Sequence, residues 1–324
     1  MQTASAAEGR QLAIVTGSNT GIGYHVAGLL AARGFHVILA CRSAERANKA
    51  IETLHADYGN EVSIEYQALD LSSFESVQAF ASRIVSAYSG GLQLLVCNAG
   101  LNAASVSQQP EQQLTKDGVD VVYQTNFLSH LLLIKLLLPM LQAAREPGGL
   151  KKTGRVVSLS SVIHRASCAA DLALTRQIRE PYVSLYGFSK LAQIAIGVEL
   201  HRQYGSEVAF HCINPGGVSS DIWRGYPAWQ QWLMSTILVS PEKAARTVVA
   251  ACVCEEGLPP VAPMYLNGYR GAGHNTSFEY WSPLPADERL VFSKPSADAQ
   301  SSEFGQRLWE DSLDIFRAAG LNMS

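Results

Sequence analysis

What the chain lacks narrows the field first. None of its six cysteines (Cys41, Cys97, Cys168, Cys212, Cys252, Cys254) forms a C-x-x-C pair, and several lie in apolar runs such as Val37–Cys41. That pattern argues against zinc or a disulfide framework and predicts buried, reduced thiols in a reducing compartment. Charged residues make up only 16% of the 324, with 25 Lys+Arg against 28 Asp+Glu and no Lys/Arg-dense stretch, so the electrostatic footprint of nucleic-acid binding is missing. No apolar run has the length of a membrane span: the longest, Leu131–Leu141, is broken by Lys135 and Pro139 and reads as a buried helix. Residues 1–10 are polar and alanine-rich, which predicts a flexible tail with neither leader nor membrane anchor and a cytoplasmic location. His130, His164 and His211 show no ligand-like clustering, so no metal is expected.

What is present is a repeating alternation. Leu12–Thr16, Phe35–Ala40, Val62–Leu69, Leu92–Cys97, Arg155–Leu159 and Val208–Ile213 read as strands, and four of them are nearly all apolar, as parallel strands covered on both faces require. Between them, Ile22–Arg33, Ala44–Tyr58, Ser73–Tyr88, Leu114–Gln142 and Ser184–Tyr204 carry apolar residues at helical spacing, and Glu242–Cys254 adds a further helix. Gly34 ends the first helix, Ser72-Ser73-Phe74-Glu75 offers a capping box for the third, and Pro147–Gly149 marks a surface loop. Alternating βαβ units specify an α/β fold: a doubly wound parallel sheet of about seven strands with helices on both faces.

The first strand runs directly into Thr16-Gly17-Ser18-Asn19-Thr20-Gly21-Ile22-Gly23, after which a helix begins. Gly17 permits the tight turn, Gly21 lets backbone approach a pyrophosphate, and Gly23 lets the helix pack on the strand. The helix N-terminus then faces anionic phosphates, which points to a dinucleotide cofactor. At the end of the second strand, where a carboxylate would bind an adenosine ribose, the chain has Ala40-Cys41-Arg42-Ser43. A guanidinium there suits a 2′-phosphate and favours NADP(H), with Asn19 and Ser43 as additional phosphate contacts. Tyr186 and Lys190 lie four apart on a predicted helix and so share a face. A phenol is a poor proton donor at neutral pH unless a nearby ammonium stabilises its phenolate.

These features, in this order, resemble the short-chain dehydrogenase/reductase family of the classical type. The G-x-x-x-G-x-G turn is joined by Asp70-Leu71, Asn98-Ala99-Gly100, Asn126, Ser160-Ser161, Tyr186-Gly187-Phe188-Ser189-Lys190 and Pro215-Gly216, over roughly residues 10–255. The resemblance implies a single Rossmann-fold domain over residues 11–324. It implies that Tyr186 exchanges a proton with a carbonyl oxygen and that Lys190 supports the phenolate and binds the nicotinamide ribose. Ser161, preferred over Ser160, would donate to the substrate oxygen. Asn126 would hold, through its backbone, a water of the proton relay. Asp70, Leu71, Asn98, Ala99 and Gly100 would line the adenosine side, and Pro215, Gly216, Val218 and Ser219 the nicotinamide side. Two positions depart from the family pattern: Cys97 replaces an Asn, and Ser219 or Ser220 stands in for a Thr.

The interval from Ser161 to Tyr186 exceeds the family's minimum, so the segment from His164 to Pro181 is expected to wall the substrate site. Trp223, Tyr226, Trp229 and Trp232, with Met234 and Ile237, suggest an aromatic lid over residues 218–240, with a C-terminal extension over 268–324. A dimer contact or a membrane-surface helix are the other readings of the aromatic cluster. The expectation is an NADPH-dependent carbonyl reductase for a bulky apolar ketone, such as a polyketide or terpenoid intermediate. The sequence is similar to the retinol-dehydrogenase-like branch and to reductases of fungal secondary metabolism. A retinoid or steroid alcohol dehydrogenase and a non-catalytic NADP(H)-binding regulator are the alternatives, and homo-oligomers are compatible with either.

Overall fold

The computed structural model describes residues 9–102, 106, 109–144, 154–180, 182–219, 238–253, 264–267, 291–292 and 294–322. Most of the lid segment, residues 220–237 with all its named aromatics, lies outside the described residues, as do Ser220, Cys254, residues 1–8 and the Pro147–Gly149 loop.

One sheet organises the chain. Its strands are β1 (Leu12–Thr16), β2 (His36–Cys41), β3 (Ser63–Ala68), β4 (Leu94–Cys97), β5 (Arg155–Leu159), β6 (Ala209–Asn214), β7 (Met264–Asn267) and β8 (Val291–Phe292). Their order is β3-β2-β1-β4-β5-β6-β7-β8. The first seven are parallel and the two-residue β8 closes the edge antiparallel. This is a Rossmann-like sheet, whose chain reversal between β1 and β4 opens a crevice at the strands' carboxyl ends. Strands β1, β2 and β4 are buried along their whole length, which accounts for their unbroken apolar sequence.

The helices are α1 (Gly21–Ala31), α2 (Ala44–Tyr58), α3 (Phe74–Ala87), α4 (Val121–Ala143), α5 (Tyr186–Tyr204), α6 (Pro241–Val253), α7 (Ala297–Gln300) and α8 (Ser302–Ala318). Two cores sandwich the sheet. One joins α1, α2 and α6 through Val26, Leu30, Leu54 and Val248. The other joins α3, α4, α5 and α8 through Phe80, Leu132, Leu191 and Leu308. Helix α4 is long and apolar enough to cross a bilayer by length and composition, yet its residues are mostly buried inside this second core.

Three details differ from the sequence expectation. The capping box does not form at Ser72. Instead Ser73 caps α3 by accepting from the Ser76 N–H at 3.2 Å, while Ser72 is held by Asp70 and Glu75 pairs with Lys116. Helix α4 begins at Val121, seven residues later than the apolar spacing suggests. The Asp120 carboxylate caps it, accepting from the N–H groups of Val122 and Tyr123 at 2.9 Å each. The C-terminal extension contains α8, which the sequence reading left unassigned. Ser301 caps it, and Phe304 and Phe316 pack its apolar face against Phe188 and Phe74.

The long segment between Ser161 and Tyr186 is tied down by one buried ion pair. The Arg179 guanidinium meets the Asp120 carboxylate at 2.5 Å, and Tyr182 donates to the same oxygen at 3.0 Å. Gln113 grips the Arg179 backbone from both sides. Asp120→Ala would leave a buried guanidinium uncompensated and remove a helix cap. It should cost about 3–5 kcal/mol of stability, measured by urea denaturation. Asp120→Asn, which keeps the cap oxygen, should cost less.

Candidate active site

The crevice forms a cleft of about 360 Å³ lined by Gly17, Asn19, Thr20, Gly21 and Ile22 from the β1–α1 turn. Gly17 and Gly21 have φ of +63° and +58°, in the left-handed region that glycine alone adopts without strain. A Cβ on Gly23 would come within 2.4 Å of the Asn98 amide, so this glycine lets α1 seat against the β4 loop. The first turn of α1 carries no acidic residue, leaving the helix N-terminus open to anions.

The remaining walls come from the ends of β2, β3, β4, β5 and β6. Arg42 and Ser43 border the cleft, with Asp70, Leu71, Asn98, Ala99, Gly100, Tyr186, Lys190 and Pro215. Arg42 is exposed, and Arg46 joins it on the same wall. Arg46 was not singled out from the sequence. The signal was its place four residues after Arg42, one turn into α2. Thr125 and Val121 of α4 also line the cleft, and the buried Thr125 Oγ1 has no partner among the described residues. Glycine backbone, an open helix N-terminus, an orphaned hydroxyl and two guanidinium groups fit an anionic dinucleotide.

Some expected contacts face elsewhere. The Ser18 hydroxyl turns into the core, donating to the Val15 carbonyl at 2.7 Å, and Ser18 is buried behind the cleft lining. The Asn98 amide donates to the carbonyls of Thr16 and Gly17 at 2.8 and 3.2 Å, bracing the glycine-rich turn. Asp70 Oδ1 accepts from Ser72 N–H and Oγ. Gly216, Val218 and Ser219 follow Pro215 beyond the cleft lining, where Val218 and Ser219 bridge to Val239.

At the inner end of the cleft stand Tyr186 and Lys190, on the first turns of α5. The Lys190 ammonium lies 5.6 Å from the centre of the Tyr186 ring and donates to the Leu159 carbonyl at 2.7 Å. It is only 4% exposed, and burial lowers its pKa from the ordinary 10.5 to about 8. The adjacent serines divide their work. Ser160 is buried and its hydroxyl donates to the Lys190 carbonyl at 2.8 Å, anchoring α5 to β5. Ser161 is half-buried, and its oxygen accepts only a long 3.4 Å contact from Ile163 N–H among the described residues. His164 steadies that position by donating to the Ser161 carbonyl at 2.7 Å and accepting from Ser296 N–H at 3.2 Å.

Asn126 sits in a π-turn of α4 (Gln124–Leu128), a widened winding frequent at functional sites. Its side chain accepts from Leu101 N–H at 2.7 Å and donates to Leu101 O and to Ser189 Oγ. Its backbone carbonyl accepts from His130 Nδ1 at 2.9 Å and Gln193 Nε2 at 2.8 Å. Two side chains, one on α4 itself and one on α5, thus engage this carbonyl.

The sequence model of the family described as short chain dehydrogenase matches residues 11–231. The chain belongs to the short-chain dehydrogenase family. Among curated relatives, it is 32% identical over 314 residues to dehydrogenase/reductase SDR family member 13 of Bos taurus, covering 90% of this chain and 76% of the relative. It is 30% identical over 308 residues to retinol dehydrogenase 11 of Homo sapiens, covering 94% and 85%. A crystal structure of a short chain dehydrogenase of Shigella flexneri complexed with NADP superposes with a TM-score of 0.53 at 26% identity, covering 72% of this chain and 87% of that one. As a short-chain dehydrogenase, the protein is an oxidoreductase with a nicotinamide cofactor and a small-molecule substrate.

The Lys190 environment has a consequence for stability. The lysine titrates near 8 when folded and near 10.5 when unfolded, so its buried charge is a penalty that is present in full below pH 8. The penalty is relieved as pH rises from about 8 to 10.5, because there the unfolded state binds the extra proton. The cofactor-free protein should therefore gain stability relative to Lys190→Met across that window. Parallel urea denaturation curves that stay a constant distance apart would contradict the burial.

Proposed function

We propose that this short-chain dehydrogenase reduces a bulky apolar ketone with NADPH, acting reversibly as an alcohol dehydrogenase. The observation that carries the reading is the buried Lys190 ammonium beside the Tyr186 ring, at the inner end of a cleft whose outer wall bears Arg42 and Arg46. The nicotinamide supplies or accepts the hydride. A cation at 5.6 Å from the ring favours the phenolate over the phenol, easing proton transfer from Tyr186 to a carbonyl oxygen as that oxygen gains charge. Ser161, with its proton uncommitted among the described residues, donates a second hydrogen bond to the same oxygen. Asn126 acts as a positioning residue, joining the Leu101 loop to α5.

For the adenosine 2′-phosphate, the support is the absence of a carboxylate at the end of β2 together with the two guanidiniums. An apolar substrate is supported by the segment between Ser161 and Tyr186. Of the six exposed large hydrophobic residues among the described ones, Val162, Ile163, Ile178 and Val183 lie there. A polyketide or terpenoid intermediate matches that surface, and the expected location is cytoplasmic. A retinoid substrate is the second reading, favoured by the similarity to retinol dehydrogenase 11. NADPH oxidation measured with polycyclic aromatic ketones and with retinal separates them. Faster turnover of the ketones is expected, and turnover of retinal alone would favour the retinoid reading. Consumption of NADPH with neither class would overturn the carbonyl-reductase reading.

Two sets of substitutions test the site. Arg42→Ala should weaken NADPH binding by about 1.5–3 kcal/mol while leaving NADH nearly unchanged, measured by fluorescence titration. An equal loss for both cofactors would remove Arg42 from phosphate recognition. Tyr186→Phe should abolish turnover and retain NADPH affinity, whereas Lys190→Ala should damage both. Substantial turnover by Tyr186→Phe would overturn its acid–base role.

A further inference from the structure

His130 lies in the apolar helix α4, on the turn after Asn126, and is followed by Leu131, Leu132, Leu133 and Ile134. An imidazole buried there forfeits hydration at both nitrogens, so each needs a protein partner. Both have one. Nδ1 lies 2.9 Å from the Asn126 carbonyl oxygen, and Nε2 lies 2.9 Å from Thr16 Oγ1. A carbonyl can only accept, so Nδ1 carries the proton and Nε2 is bare. Thr16 then donates to Nε2, in preference to the Val96 carbonyl at 3.3 Å.

The two partners belong to different parts of the site. Thr16 is the last residue of β1, immediately before Gly17, and its hydroxyl oxygen also accepts from the N–H groups of Asn98 and Ala99 at 3.0 Å each. The Asn126 carbonyl also accepts from Gln193, one turn beyond Lys190 on α5. One ring therefore bridges the loops that line the dinucleotide cleft and the helices that carry the acid–base pair. Burial lowers the His130 pKa to about 4, and the Lys190 ammonium acts in the same direction, so the ring is neutral and keeps one donor and one acceptor.

We propose that His130 is a positioning residue for hydride transfer, a neutral two-ended spacer that fixes the distance between the glycine-rich turn and the Asn126–Gln193–Lys190 side of the cleft. The proposal rests on the reading of Tyr186 and Lys190 given above. It assigns His130 no contact with substrate or cofactor. Its effect runs through Thr16 and Asn126, and a leucine or phenylalanine of equal bulk would fill the space without holding either end.

The first test uses the unaltered protein. Nitrogen-15 NMR of labelled histidine at neutral pH should show His130 as the Nδ1–H tautomer, and an Nε2–H tautomer would overturn the assignment. The second compares His130→Phe with His130→Asn, well below their melting temperatures. The asparagine amide can replace Nδ1–H towards Asn126 but offers nothing to Thr16. His130→Phe should raise the NADPH Kd about tenfold and lower kcat about tenfold to a hundredfold. His130→Asn should recover most of kcat and keep the raised Kd. If folded His130→Phe matches the parent within about twofold in both quantities, and only its melting temperature falls, the residue is ordinary core and the proposal fails. Tyr186→Phe, measured alongside, keeps the two claims separate. Its retention of turnover would refute the acid–base reading, while the tautomer and the NADPH Kd would still decide the bridge.

Discussion

A lysine ammonium buried at the junction of β5 and α5 is the constraint around which the site is arranged. Taking that charge out of water is costly, and the chain offsets the cost with the Leu159 carbonyl at 2.7 Å. The arrangement requires α5 to start where β5 ends, which Ser160 enforces by donating to the Lys190 backbone. Once α5 is pinned, Tyr186 falls one turn before Lys190 with its ring beside the ammonium. A cation that is poorly solvated interacts more strongly with a neighbouring phenolate than a hydrated one would. Stability is spent at this position, and a Lys190→Met protein would be more robust.

The opposite wall is organised by hydrogen bonds at the end of β1. The Thr16 hydroxyl gathers the backbone of Asn98 and Ala99, and the Asn98 amide returns to the carbonyls of Thr16 and Gly17. These contacts fix the glycine-rich turn from behind, so its outward face can be bare backbone. Electrostatics follows the same division. The anion-seeking groups, namely the N-terminus of α1 with Arg42 and Arg46, line the outer cleft. Tyr186 and Lys190 lie at its inner end.

Much of this was legible in the sequence because it depends on local spacing. The apolar runs of β1, β2 and β4, the strand-to-helix glycine turn and the four-residue interval from Tyr186 to Lys190 are each set by backbone geometry. What was not legible depends on partners distant in sequence. Ser72 and Ser73 are equivalent on paper, and Asp70 engages the first so that the second caps α3. Leu114 continues the apolar spacing of α4, but Asp120 starts the helix later because Arg179 and Tyr182 neutralise and hold its carboxylate there. Helix α8 was hidden by the surrounding proline- and aromatic-rich sequence, although Ser301, Phe304, Leu308 and Ile315 carry its cap and its spacing. The partners of the Asn126 carbonyl are announced by no pattern, since His130 and Gln193 reach it from two different helices.

Transfer of a hydride between a nicotinamide and a carbonyl carbon in this cleft is the proposal that unites these features. It is tested most directly by mass spectrometry of the product formed from a polycyclic ketone with NADPH deuterated at the transferring face of C4. One deuterium is expected on the carbinol carbon when the reaction runs in ordinary water, and none on that carbon when unlabelled NADPH is used in heavy water. Alcohol formed without label from the deuterated cofactor would contradict it.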